Sequence, residues 1–72
     1  MYVPVRRVNA RAIREARDRA GLTSMEVADA IGIDATAIFH YESGRKSPSV
    51  RVLAGFASAY ETTMDDLMEV VD

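Results

Sequence analysis

Apolar residues recur at helical spacing in five stretches, and a helix-capping residue stands ahead of each. Ile13, Ala16 and Ala20 form the first stripe, with Asn9 before it and Gly21 behind it, so a helix is predicted up to about Ala20. Val27, Ala28 and Ile31 form the second. Thr23 and Glu26 stand at capping-box spacing there, and Leu22 and Val27 occupy hydrophobic-staple positions. In the third, Ala37, Ile38 and Tyr41 gather on one side, while Ala35, Thr36, Phe39, His40 and Ser43 gather opposite. Asp34 caps it, Ile33 and Ile38 repeat the staple, and Gly44 supplies a left-handed stop. Ser49 opens the fourth, with Val52, Leu53, Phe56, Ala57 and Tyr60 inward. Thr63 and Asp66 open a fifth helix predicted over 64–71 and lined by Met64, Leu67 and Met68. The expectation is an all-α, compact five-helix bundle preceded by a short N-terminal arm, residues 1–8.

The second and third helices are short and joined by a tight turn at Gly32. Small Ala28 allows a close crossing, and one outer face stays free. This is the geometry of a helix-turn-helix unit, residues 23–43, whose second helix enters the major groove. The chain resembles the Cro/C1-type (XRE) helix-turn-helix family. The matching residues are Gly21-Leu22-Thr23, Glu26-Val27-Ala28, Ile31-Gly32-Ile33, Ile38, Tyr41 through Lys46, and Pro48-Ser49, within a likeness running from about Ile13 to Leu67.

That resemblance implies a lambda-repressor-like fold in residues 9–72 and sequence-specific binding of double-stranded DNA. It places Ala35, Thr36 and His40 toward bases, with Phe39 beside them. The third helix carries no Arg, Lys, Gln or Asn for bidentate base pairing. Modest direct readout is therefore expected, with Ala35 and Phe39 offering apolar contacts such as to thymine methyls. Arg45 and Lys46, in the loop leaving that helix, are matched to phosphate contacts, through side chains and free backbone amides. Ser43 and Arg51 flank them, and Arg14 is placed for solvent or phosphate. Ser24 stands where the family often has glutamine, so its phosphate contact has shorter reach. Arg17 and Glu42 match a structural ion pair. The family also turns with glycine where this chain has Glu61. A left-handed glutamate costs about 1 kcal/mol, so a different turn is expected there. Gly55, inside the fourth helix, points to close packing against a neighbour.

Charge sharpens the picture. The net charge is −2, yet all nine Lys and Arg lie in residues 1–51 against six acids, while residues 52–72 hold five acids and no base. A basic face toward phosphates and an acidic side turned away follow from that split. Arg6 and Arg7 leave three readings open: a DNA-touching arm, a frayed terminus, or, with Val3 and Val5, an edge strand lent to a partner. In the family the C-terminal region commonly dimerises, and Met64, Leu67, Met68, Val70 and Val71 are the candidate contacts for a homodimer.

Other classes find little support. The chain has no cysteine and one histidine, His40, without a second ligand at helical spacing, so no metal site or cofactor is expected. No nucleophile–base pair or phosphate loop suggests an enzyme. No apolar run reaches membrane length, and a cytoplasmic protein is the default. The leading expectation is a transcriptional regulator, a dimeric repressor occluding a promoter at a short inverted repeat. The alternative is a protein-interaction module of the same fold, such as an antitoxin or regulatory partner, using Phe39 and the acidic half.

Overall fold

Capping residues mark the start of every helix in the computed structural model, which describes residues 1–71. Helix α1 spans Ala10–Ala20, and its Asn9 side chain accepts from the Ala12 N–H at 3.1 Å. Helix α2 spans Ser24–Ile31 behind a complete capping box: the Glu26 N–H donates to Thr23 Oγ1 at 3.1 Å, and the Thr23 N–H donates to Glu26 Oε1 at 2.9 Å. Helix α3 spans Ala35–Glu42, with Asp34 accepting from the Thr36 N–H at 2.9 Å. Helix α4 spans Val50–Ala59, with Ser49 accepting from the Val52 N–H at 3.2 Å. Each cap satisfies a donor that has no partner within its helix, an effect typically worth about 1 kcal/mol.

The helices close on a core in which Ile13, Val27, Ile38, Phe56 and Leu67 are fully buried. Phe56 is its centre. Tyr60 stacks on it at 5.8 Å between ring centroids, and the half-buried Tyr41 meets its edge at 5.9 Å. Ala20, assigned to the inner stripe by spacing, is exposed at the end of α1. Gly55 lets α4 approach α2, since a Cβ there would lie 3.2 Å from two carbons of Ile31.

The chain after α4 departs from the expected bundle. Thr63 does accept from the Asp66 N–H, at 3.1 Å, as a helix cap would. The helix expected over 64–71 nevertheless amounts to one 3₁₀ turn, Asp65–Leu67. Strand β2, Met68–Val71, then pairs antiparallel with β1, Val5–Val8, in the register Val5–Val71 to Val8–Met68. The core is thus all-α with four helices, and a small ribbon replaces the fifth. β-Branched Val70 and Val71 suit a pleated strand, and β1 supplies the backbone partners that a helix would have found within itself. The Asn9 N–H extends this closure to the Leu67 carbonyl at 2.9 Å.

The ribbon also resolves the N-terminal arm. Residues 5–8 are a strand paired within the chain, not a free arm. Arg6 reaches Asp65 at 2.7 Å and Arg7 reaches Glu69 at 2.6 Å. Both pairs are largely solvated, so each contributes at most about 1 kcal/mol. The ribbon is anchored mainly by Val8 and Met68 packing on the core beside Leu67.

A second correction lies at Glu61. It adopts the left-handed conformation after all, with φ 53°. The Thr62 N–H donates to the Ala57 carbonyl at 2.9 Å and the Glu61 N–H to the Ser58 carbonyl at 3.3 Å, the paired bonds of a Schellman stop. Those two bonds and the stacked Tyr60 hold the turn that glycine would adopt without strain.

Candidate nucleic-acid interface

Helix α3 is held from behind and bare in front. Ile38 is buried, and the half-buried Ala37 and Tyr41 share its side. Thr36, Phe39 and Ser43 are exposed, while Ala35 and His40 are half-buried at the margins. Phe39 is 62% exposed, and its ring leans on that of His40 at 6.1 Å.

The end of α3 is fixed to α1. Arg17 Nε donates to Glu42 Oε2 at 2.7 Å and Nη2 to Oε1 at 3.0 Å, while Nη1 donates to the Leu22 carbonyl at 3.0 Å. One guanidinium therefore joins α1, the α1–α2 loop and α3. The hydrogen bond to Glu42 raises the Arg17 pKa above its ordinary value, against the opposing effect of burial. The pair positions the outer face and does not belong to it.

Around that face, Arg14, Ser24, Phe39 and Ser43 line one shallow depression floored by Arg17 and Glu42. Four of the residues expected to touch DNA are thus brought together from three helices. Ser24 is the first residue of α2, where the helix presents N–H groups and the positive end of its dipole. Arg45 and Lys46 follow the αL stop at Gly44, φ 81°, and both are exposed. Their amides are not free: both donate to the His40 carbonyl, at 2.9 and 3.3 Å. Any anion contact at those two residues therefore falls to the side chains. The Ser43 hydroxyl likewise donates to the His40 carbonyl at 3.3 Å.

Arg51 is not gathered with this group; it lines a separate groove between α2 and α4. Arg6 and Arg7 are held by their carboxylates. Among the described residues, Arg11, Arg14, Arg45 and Lys46 make no ion pair. Arg11 shares a groove with Gly44, which stands against Ala10, so the start of α1 lies beside the loop that carries Arg45 and Lys46. Met25, next to Ser24, is 69% exposed. Sequence reasoning passed over it, although its place off the Val27–Ala28–Ile31 stripe marked it as outward-facing.

The candidate dimer residues divide. Leu67 is 1% exposed within the core, and Met68 packs against that core, so neither is presented to a partner as a helix would have presented it. Met64 and Val70 are exposed, and Val71 is half-buried.

Two short helices crossed around a tight turn, with the second presenting a bare face among unpaired cations, define a helix-turn-helix domain. The chain belongs to the helix-turn-helix domain family, which it matches over residues 10–70, and within it to the Cro/C1 type. It is 37% identical over 60 residues to the HTH-type transcriptional regulator DdrOP3 of Deinococcus deserti. That match covers 83% of this chain, which spans 46% of the relative's length. Among solved structures, the clp gene regulator ClgR from C. glutamicum superposes with a TM-score of 0.74 at 29% identity, covering 81% of this chain and 75% of the other. The restriction-modification controller protein C.AhdI from Aeromonas hydrophila has a TM-score of 0.75 at 24% identity, covering 81% and 88%. The P22 c2 repressor, in complex with a synthetic operator, has a TM-score of 0.76 at 21% identity, also covering 81% and 88%. At these lower identities the likeness is one of fold.

Proposed function

We propose that this domain is a sequence-specific double-stranded DNA-binding transcriptional regulator that acts as a dimeric repressor. The observation that carries the reading is the bare face of α3, with Phe39 and Thr36 exposed and Arg14, Ser24 and Ser43 beside it. On this reading Ala35, Thr36, Phe39 and His40 face base edges. Arg14, Ser24, Arg45 and Lys46 hold phosphates and set the helix in register, and Ser43 joins them once its hydroxyl turns from the His40 carbonyl. Arg51 lies at the periphery. The regulators named among the similar proteins, DdrOP3 and ClgR, support the regulator part of this assignment.

A small unit with few phosphate contacts binds weakly alone, and two copies on an inverted repeat would multiply its avidity. Such a homodimer sets its recognition helices about 34 Å apart on one face of DNA and blocks a promoter by occupancy, with no catalytic step and no cofactor. Of the candidate dimer contacts Met64 and Val70 remain exposed for a second copy, and Val5 of the ribbon is exposed as well. Among the described residues no helix is long and apolar enough to cross a membrane, and we place the protein in the cytoplasm.

Selection from a random duplex pool with wild-type protein and an Arg45→Ala/Lys46→Ala variant tests the reading. Enrichment of an inverted repeat by the wild type, lost in the variant, is expected. Absence of any duplex binding would leave the protein-interaction alternative in its place.

A further inference from the structure

Resting on that DNA-binding reading, we infer that Phe39 is the specificity-determining residue and that it reads the 5-methyl group of a pyrimidine in the major groove. Phe39 is the most exposed large side chain of α3, at 62%, and occupies the middle of the outer face between Thr36 and Ser43. Arg14, Ser24 and Ser43 surround it in the depression described above. A phosphate is charged and strongly hydrated, and a phenyl ring pressed on it would cost hydration and return nothing, so on this face the ring gains by meeting base edges and not backbone. The His40 ring, 6.1 Å away and tilted 58°, stands on one side of it and limits where it can swing.

A phenyl ring neither donates nor accepts a conventional hydrogen bond. Pressed against an amino group, a carbonyl or a purine N7, it would strip that group of water and return nothing. One feature of the major-groove floor is apolar, the methyl group on C5 of thymine, and 5-methylcytosine carries the same group at the same carbon. Residues 35–42, Ala-Thr-Ala-Ile-Phe-His-Tyr-Glu, hold no Arg, Lys, Gln or Asn to read a base by paired hydrogen bonds. Its neighbours reinforce the same preference, since Thr36 adds a methyl group and Ala35 a half-buried Cβ. The domain therefore discriminates chiefly by methyl contact, and a pyrimidine lacking the C5 methyl at the contacted step is the disfavoured base.

The test uses the duplex enriched by the wild-type protein from the random pool, resynthesised with dU for every dT, which removes only the methyl groups. Wild-type protein should bind the dU duplex more weakly by about fourfold for each contacted methyl. Phe39→Ala, at an exposed position and checked for an unchanged circular dichroism spectrum, should lose most of the difference between the dT and dU duplexes, keeping only what Thr36 and Ala35 supply. Phe39→Leu, still apolar, should keep part of the difference. Replacing the sensitive dU·dA pair by 5-methyl-dC·dG then separates the two methyl sources. Recovered affinity shows that the methyl group suffices on either pyrimidine, and no recovery shows that thymine itself is required. The inference is overturned if dU leaves wild-type affinity unchanged, or weakens wild type and Phe39→Ala by the same factor, even though DNA binding stands. A wild-type protein that enriches no duplex overturns both this inference and the function it rests on.

Discussion

Arg17 and Glu42, 25 residues apart, meet through two parallel N–H···O bonds of 2.7 and 3.0 Å, with side chains only 16% and 9% exposed. The planar fork of arginine matches both carboxylate oxygens, a geometry that lysine cannot reproduce. Removing either partner would leave the other charge largely desolvated. Arg17→Ala and Glu42→Ala should each cost about 3 kcal/mol in urea denaturation, and Arg17→Lys should cost more than a conservative exchange normally does. The Arg17→Met/Glu42→Leu double variant should recover most of that loss, since it leaves no stranded charge. A double variant as unstable as the sum of the two single variants would mean that the two side chains contribute independently and that their pairing adds nothing.

Gly55 and Ile31 set the spacing of α2 and α4. A Cβ at residue 55 would lie 3.2 Å from Ile31 Cγ1 and Cγ2 and 3.3 Å from Cδ1. Alanine gains up to about 1 kcal/mol in helix propensity. Ile31 is β-branched and stiff at χ1, so swinging one carbon away brings another in. Overpacking should win, and Gly55→Ala should destabilise by about 1 kcal/mol. In an Ile31→Ala background the clash is gone and the same substitution should stabilise by about the propensity difference. Chemical denaturation of the four proteins reads the change of sign directly.

At Glu61 the backbone sits at φ 53° without the freedom of glycine. Glu61→Gly relieves about 1–2 kcal/mol of steric strain and returns part of it as unfolded-state entropy. A net gain of about 0.5–1 kcal/mol, seen as a higher Tm with an unchanged fold, is expected. An unchanged or lower Tm would mean that the Glu61 side chain itself supports the turn.

Short-range chemistry explains what could be read in advance. Thr23 with Glu26, Asp34, Ser49 and Gly44 act within a few residues of themselves, so the starts and stops of four helices are visible locally. The outer face of α3 follows equally from its 3.6-residue period. The end of the chain is different. Thr63 and Asp66 do form a capping bond, yet the decision between helix and strand at Met68–Val71 is made by Val5–Val8, at the other end of the chain. Nothing near residue 68 announces that partner. Likewise, the Arg17–Glu42 pairing was available only through family resemblance. Which cations would stay clear of carboxylates was not legible at all: Arg6 and Arg14 look alike in sequence, and only Arg6 is held, by Asp65.

Tyr60 carries the last prediction. Its ring is stacked on Phe56 and 7% exposed, and its hydroxyl is buried with no hydrogen-bond partner among the described residues. Burial, with a lesser push from the Glu42 carboxylate and an opposing one from Arg17, raises the phenol from 10.0 to about 12. Between those values the unfolded chain gives up this proton while the folded chain keeps it. The folded state then binds more protons, so stability is intact below pH 10 and falls as the pH climbs toward 12. By about pH 11.5 the loss from this group should be about 1–2 kcal/mol. Alkali acts on the protein as a whole, so the informative quantity is the difference from Tyr60→Phe, measured by urea unfolding at about pH 9 and about pH 11.5. Tyr60→Phe should match or exceed the wild type at the lower pH, because it removes an unpaired buried hydroxyl, and should lose less at the higher one. Equal losses in the two proteins would show that the hydroxyl reaches water in solution and that its burial does not shape the alkaline limit of the fold.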